Sequence, residues 1–156
     1  MTAKDNVLSR ERQRGRAAAL DLARRAPELD GTAIIAEEDH IPPWREDAVY
    51  TADMLGWPVR DGGQVYTILQ AHTPAHNPGS RPADLPAIYS IKHTQDPRRA
   101  KPYLLPNGTS GMYMQGDCAV DGGHVWRSGI DNNIWRPSEY PAGWEDLGTV
   151  EEIQNT

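Results

Sequence analysis

The chain contains no phenylalanine and one cysteine, Cys118. A single cysteine cannot close an internal disulfide, which excludes a stapled fold and a redox pair. No apolar run approaches a membrane span, and the charged N-terminus lacks the apolar stretch of a signal peptide. We therefore expect synthesis in the cytoplasm, with neither leader nor anchor. No glycine-rich phosphate loop is present. With 156 residues and 17.3 kDa, the chain has material for one modest core or two very small ones, not for a large catalytic domain.

The aromatic residues that are present are 5 Trp and 6 Tyr, all of them after residue 43. Each combines an apolar face with a polar handle, which suits half-exposed surfaces. The 14 Gly, 13 Pro and mean hydropathy of −0.68 favour short strands and turns over long buried helices. A net charge of −6 and a pI near 5.3 argue against nucleic acid as a partner. Basic residues concentrate in the head, as Lys4, Arg10, Arg12, Arg14, Arg16, Arg24 and Arg25, so the rest of the chain is strongly acidic.

Residues 1 to about 29 read as a weakly amphipathic helix ended by Pro27, with a thin apolar stripe that needs a partner surface. A second short helix is expected over Thr32–Asp39, stopped by Pro42-Pro43. From Trp44 onward the helical period disappears and the chain repeats itself. Val59-Arg60-Asp61-Gly62-Gly63-Gln64-Val65-Tyr66 matches Ala119-Val120-Asp121-Gly122-Gly123-His124-Val125-Trp126, and Pro86-Ala87-Ile88-Tyr89 matches Pro141-Ala142-Gly143-Trp144. Each copy starts with a tyrosine, Tyr50 or Tyr113. Each Asp-Gly-Gly predicts a hairpin turn whose glycines adopt positive φ, flanked by short β-prone arms. A lone hairpin is marginal in water, so the Pro-rich return and its terminal Tyr89 or Trp144 are expected to fold back as a lid.

Signals for enzymatic chemistry are weak. His72 and His76 have the spacing of a zinc helix, but Pro74 lies between them and the glutamate of that motif is missing. Glu37-Glu38-Asp39 and Glu145-Asp146 read as solvated edges, and Cys118 lacks a basic partner. No catalytic residue, metal or cofactor is expected. Binding signals are stronger. Tyr113, Trp126, Trp135, Tyr140 and Trp144 are too many large rings for so small a core to hide, and exposed rings suit stacking on the apolar face of a sugar. Asp131, Asn132, Asn133 and Glu139 are placed to take hydroxyls. Trp126 and Trp144 would serve equally as core; Trp135 and Tyr140, in a polar, Pro-bounded loop, read as surface.

The pattern Tyr113-x-x-Gly116-Asp117, Gly122-Gly123-x-Val125-Trp126, Trp135-Arg136-Pro137 and Pro141-x-x-Trp144 resembles the small chitin-binding modules of bacterial chitinases, carbohydrate-binding families five and twelve. The first copy, Gly63-x-Val65-Tyr66 and Gln70-Ala71-His72-Thr73 closing on Tyr89, resembles the same module as it occurs in tandem in proteins of tailed bacteriophages and prophages. The resemblance covers about residues 44 to 148. It implies short three-stranded twisted sheets whose aromatics stack on polysaccharide without catalysis or metal. The first copy has Asn77-Pro78 where phage relatives usually carry Trp before the Pro, and its Tyr50-x-x-Asp53 start departs from the Tyr-x-x-Gly-Asp kept in the second. The second copy is therefore the expected binder.

The expected fold is mainly β with an N-terminal α-helical segment and two small twisted antiparallel β modules in tandem. Its parts are a helical attachment or oligomerisation segment at 1–43, a first module at 44–93, a connector at 94–110, a second module at 111–148 and a tail at 149–156. Candidate carbohydrate-binding residues are Trp126, Trp135, Tyr140, Trp144, Tyr113 and Tyr66. The resemblance implies a non-enzymatic virion-surface protein that contacts a polysaccharide or cell-surface glycan and other virion proteins. A homo-oligomer is expected, with a trimer among its forms, and no insertion into a membrane. The alternative is a structural capsid, tail or fibre protein whose rings cement subunits, since interfaces favour Trp and Tyr as sugar sites do.

Overall fold

The structure is a computed structural model and describes residues 2–108 and 110–155. It is mainly β, with one long N-terminal helix and two sheets rich in antiparallel pairing. Helix α1 spans Ala3–Arg25. It opens with a capping box, in which Thr2 Oγ1 accepts from the Asp5 N–H and the Asp5 carboxylate accepts from the Thr2 N–H, each at 3.1 Å. Pro27 ends the helix in a single 3-10 turn, Ala26–Glu28. Helix α2, Gly31–Ile35, is shorter than the expected Thr32–Asp39; Asp30 caps it by accepting from the Ala33 N–H at 2.8 Å.

The head is not a separate arm along its whole length. Leu22, Ala26, Ile34, Ile35 and Ile41 bury against Val65 of the first sheet, and a Leu22→Ala truncation there would cost about 2–5 kcal/mol. Arg25 holds Glu37 with two parallel hydrogen bonds of 3.0 and 2.7 Å. A Cβ on Gly31 would collide with the His93 carbonyl, so glycine allows α2 to lie against the end of the first sheet. Residues 2–17, by contrast, are all exposed.

The first sheet is β1 (Pro58–Asp61), β2 (Gln64–Ile68) and β3 (Tyr89–Lys92), in that order and antiparallel. The second is β4 (Lys101–Pro102), β5 (Cys118–Asp121), β6 (His124–Ser128) and β7 (Trp144–Thr149). The hairpins form as expected. Gly62 and Gly63 have φ of 58° and 78°, Gly122 and Gly123 of 60° and 78°, so both are two-residue turns with two positive φ values, the form whose twist matches the strands it joins. The registers also correspond: Asp61 faces Gln64 as Asp121 faces His124, and Ile68 faces Tyr89 as Ser128 faces Trp144. They diverge at a bulge between Val125 and Trp126, where β7 carries an extra residue.

Two expectations change. Tyr89 and Trp144 do not end a lid; each begins the strand that pairs with the second arm of its hairpin, β3 on β2 and β7 on β6, because the Pro-rich return carries the chain to the open edge of the hairpin. The span 94–110 does more than connect. Thr94 pairs with Cys118, and Lys101–Pro102 forms a short parallel edge strand on β5, a position that tolerates the missing N–H of Pro102. Pro43 makes the corresponding parallel bridge to Arg60. The two sheets meet through His93, whose ring stacks on Tyr113 at 3.8 Å, and through Gln64, whose amide donates to the Pro102 carbonyl. Helix α3, Val150–Gln154, covers Val125 and Cys118 with Val150 and Ile153.

Candidate functional site

The six candidate rings separate by burial. Tyr113 is 1% exposed; it stacks on His93 and on Tyr103, and its hydroxyl accepts from the Leu104 N–H at 3.0 Å. Tyr66, 3% exposed on β2, meets Tyr89 edge to face at 6.2 Å, and burial pushes its phenol up to about 12. Trp144, 7% exposed, packs edge to face on Tyr113 at 5.3 Å. These three are core, which corrects their assignment as binding residues: a covered ring has no free face to stack. Trp126 is half-buried against the same cluster and donates its indole N–H to the Asp121 carbonyl at 3.0 Å.

Trp135 and Tyr140 remain at the surface, 42% and 39% exposed. Their centroids lie 5.1 Å apart with ring planes at 89°. The loop between β6 and β7 carries both, and it is held from below. Asn133, also expected to take hydroxyls, is fully buried instead. Its Nδ2 donates to Ser128 Oγ at 3.1 Å and to the Gly143 carbonyl at 3.2 Å, while its Oδ1 accepts from the Trp135 N–H at 3.1 Å. Asn133 therefore positions Trp135 and has nothing left for a ligand. Tyr103 adds a bond from its hydroxyl to the Ile134 carbonyl at 2.6 Å. Asp131 gives one oxygen to the Gln115 N–H at 3.0 Å, Asn132 turns the loop at φ 53°, and Glu139 is exposed beside Tyr140 without an ion-pair partner among the described residues.

A repeated clasp went unnoticed in the sequence. Arg136 pairs with Asp121 of the hairpin turn at 3.2 Å and lies 5.1 Å over the Tyr103 ring. Arg81 pairs with Asp61 of the other turn and lies 4.8 Å over the Trp44 ring. Each arginine sits between a carboxylate and an aromatic face. The signal was present as Arg81-Pro82 and Arg136-Pro137, in line with the Pro-Ala repeats that follow, and as Pro43-Trp44 and Pro102-Tyr103 before the hairpins. In the same alignment Ser80 and Leu85 of the first copy stand where the second has Trp135 and Tyr140.

Other chemistry-bearing residues are engaged structurally. Both ring nitrogens of His72 are occupied: Nδ1–H donates to the Gln70 carbonyl at 2.8 Å, and Nε2 accepts from the Tyr89 hydroxyl, which accepts from the Trp44 indole at 2.7 Å. No group of three or more His, Cys, Asp or Glu able to hold a metal occurs among the described residues. Cys118 is buried, and burial pushes its thiol up to about 11. A hollow of about 460 Å³ beside the first hairpin is lined by Glu38, Asp61, Arg81 and Lys101, whose carboxylates are already paired, Asp61 with Arg81 and Glu38 with Lys101. No helix among the described residues is long and apolar enough to cross a membrane.

No family model matches the chain, and no curated protein matches it.

Proposed function

We propose that the chain is a non-enzymatic glycan-binding protein displayed on a bacteriophage or prophage particle, with its two sheets as chitin-binding-like modules in tandem. The Trp135–Tyr140 pair carries this reading: two large rings held in the open by a buried asparagine, on a rigid β scaffold, beside carboxylates that can take hydroxyls. The corresponding registers and the repeated arginine clasp support treating the sheets as two copies of one unit. Exposed residues 2–17 of α1 attach the chain to its own copies or to other virion proteins, and display in many copies raises weak glycan contacts to useful avidity. The protein then resides on the virion surface after synthesis in the bacterial cytoplasm.

The test is a glycan array probed with the protein in multimeric form, wild type against Trp135→Ala and Tyr140→Ala. Binding lost in both variants with folding retained supports the reading; a wild type that binds no glycan as a multimer refutes it. One observation favours a structural role instead. Ser80 and Leu85 replace the exposed rings in the first copy, leaving that copy without a platform. In that reading the rings cement subunits, and Trp135→Ala dissociates an oligomer rather than abolishing glycan binding.

A further inference from the structure

Residues 2–17 lie in or cap α1 with every side chain exposed, and their charges oppose a free-standing helix. Arg10 and Arg14, like Arg12 and Arg16, stand one turn apart, and no ion pair relieves them among the described residues. Gly15 weakens the same stretch. Val7 and Leu8 are its only large apolar side chains. The two arginine rows lie about 160° apart around the axis and flank the strip that holds Val7 and Leu8. A bundle of arms packed on that strip would therefore set arginine against arginine along both seams. The chain's own body is out of reach as well. Helix α1 runs unbroken to Arg25, is pinned by buried Leu22 and Ala23, and carries its first 15 residues about 22 Å outward. The arm needs an acidic surface on another molecule.

The opposite end of the chain offers one. Residues 144–154, strand β7 and helix α3, hold Glu145, Asp146, Glu151 and Glu152, all exposed, and no lysine or arginine. The Glu152 carboxylate lies against Gly148, whose N–H donates to Asp146 at 2.9 Å, so the acids of strand and helix share one surface. Asp146 accepts from His124 at 3.0 Å. The other three carboxylates have no ion-pair partner among the described residues, although Arg127 stands opposite Glu145 in the register. Strand β7 is also the last of its sheet, so its outer edge presents main-chain carbonyls that guanidinium groups can use. Resting on the attachment role given above to residues 2–17, we propose that the arginine arm of one copy docks on the β7–α3 face of a second copy. Charge complementarity selects this occupant: the arm carries five basic and two acidic side chains, the face four carboxylates. Single exposed pairs contribute little, so the contact depends on the whole set and weakens in salt. Each copy gives an arm and receives one, and such a heterologous contact closes a ring or grows a filament.

The experiment reverses each charge set in the full chain and reads the solution mass by sedimentation equilibrium, with circular dichroism as the check on folding. One variant combines Arg10→Glu, Arg12→Glu, Arg14→Glu and Arg16→Glu; the other combines Glu145→Lys, Glu151→Lys and Glu152→Lys and spares Asp146, which holds Gly148. The wild type is expected to form an oligomer whose mass falls as salt is added. Each variant alone is expected at the monomer mass of 17.3 kDa, because its arm and its face now carry the same sign. Mixed in equal amounts, the two variants are expected to regain the oligomer, an outcome that misfolding of either could not produce. A mixture that stays monomeric, or a variant that keeps the wild-type mass by itself, overturns the docking. If deletion of residues 2–17 dissociates the oligomer while the charge reversals do not, the arm attaches by another surface and only the docking falls. A deletion without effect on the mass overturns both the docking and the attachment role. A wild type that stays monomeric and instead retards duplex DNA at low salt also overturns the docking, since the arm's partner is then a polyanion.

Discussion

The indole N–H of Trp144 donates to the main-chain carbonyl of Trp135 at 3.0 Å. A buried ring in the core of the second sheet thereby holds the loop that presents the exposed one. Trp144→Phe removes the donor while keeping an aromatic in place, and we expect a loss of about 1 kcal/mol in stability with a measurable loss of glycan affinity. Trp135→Ala is expected to leave stability within about 0.5 kcal/mol and to abolish binding. Urea unfolding read beside binding checks both; equal destabilisation by the two variants refutes the division of labour.

Asn133 is the second support of that loop. Asn133→Ala leaves the Trp135 N–H without its partner and removes the tie to Ser128 and Gly143, for an expected cost of about 1–3 kcal/mol. A urea midpoint unchanged from wild type would contradict the role given to it.

At Gly122 a Cβ meets nothing within 4 Å, so only the positive φ of 60° opposes a side chain. Gly122→Val is expected to cost about 1–2 kcal/mol, and Gly122→Asn far less, because asparagine tolerates the left-handed region. Thermal unfolding of the two variants decides it; equal midpoints would mean that the turn is not held in this form.

Residues 2–17 of α1 add no buried side chain to the body. Their deletion is expected to change the unfolding free energy by less than about 0.5 kcal/mol while lowering the solution mass to that of a monomer. Light scattering and urea unfolding on the same sample give both numbers, and a deleted chain that keeps its oligomeric mass removes the arm from assembly.

His93 lies between the sheets, stacked on Tyr113, with Nε2–H donating to the Gly111 carbonyl at 2.7 Å. Burial holds its imidazole below the ordinary value of 6.5. The unfolded chain takes the proton first, so stability should fall as pH drops below about 6.5. Asp117, which couples electrostatically to His93, is pushed above its ordinary value by burial and acts in the opposite sense at lower pH, because the folded chain holds that proton more tightly. Urea midpoints from pH 8 to 5 should decline below 6.5 in the wild type and flatten in His93→Gln; a flat wild-type profile refutes the buried neutral histidine.

The hairpins were legible because an Asp-Gly-Gly turn is decided within four residues, where two glycines supply backbone angles that other residues resist. The end of α1 at Pro27 was legible for the same reason, a local steric rule. Even the exposure of Trp135 and Tyr140 followed from their polar, Pro-bounded loop. The burial of Tyr66, Tyr113 and Trp144 was not legible, nor was the role of Asn133, whose type alone suggested surface.

Chain order and composition by themselves determined a mainly β protein with a helical head, two Asp-Gly-Gly hairpins and a polar loop bearing two rings. These features depend on φ preferences and on neighbours a few residues away. Only the tertiary structure decided which rings are core. Tyr113 is covered by His93 and Tyr103, each ten or more residues away in sequence, and the partners of Asn133 converge only when β6 and β7 pair. Burial is a property of what packs on a side chain from afar, and of the six candidate rings it left one exposed pair, Trp135 and Tyr140, on a supporting core.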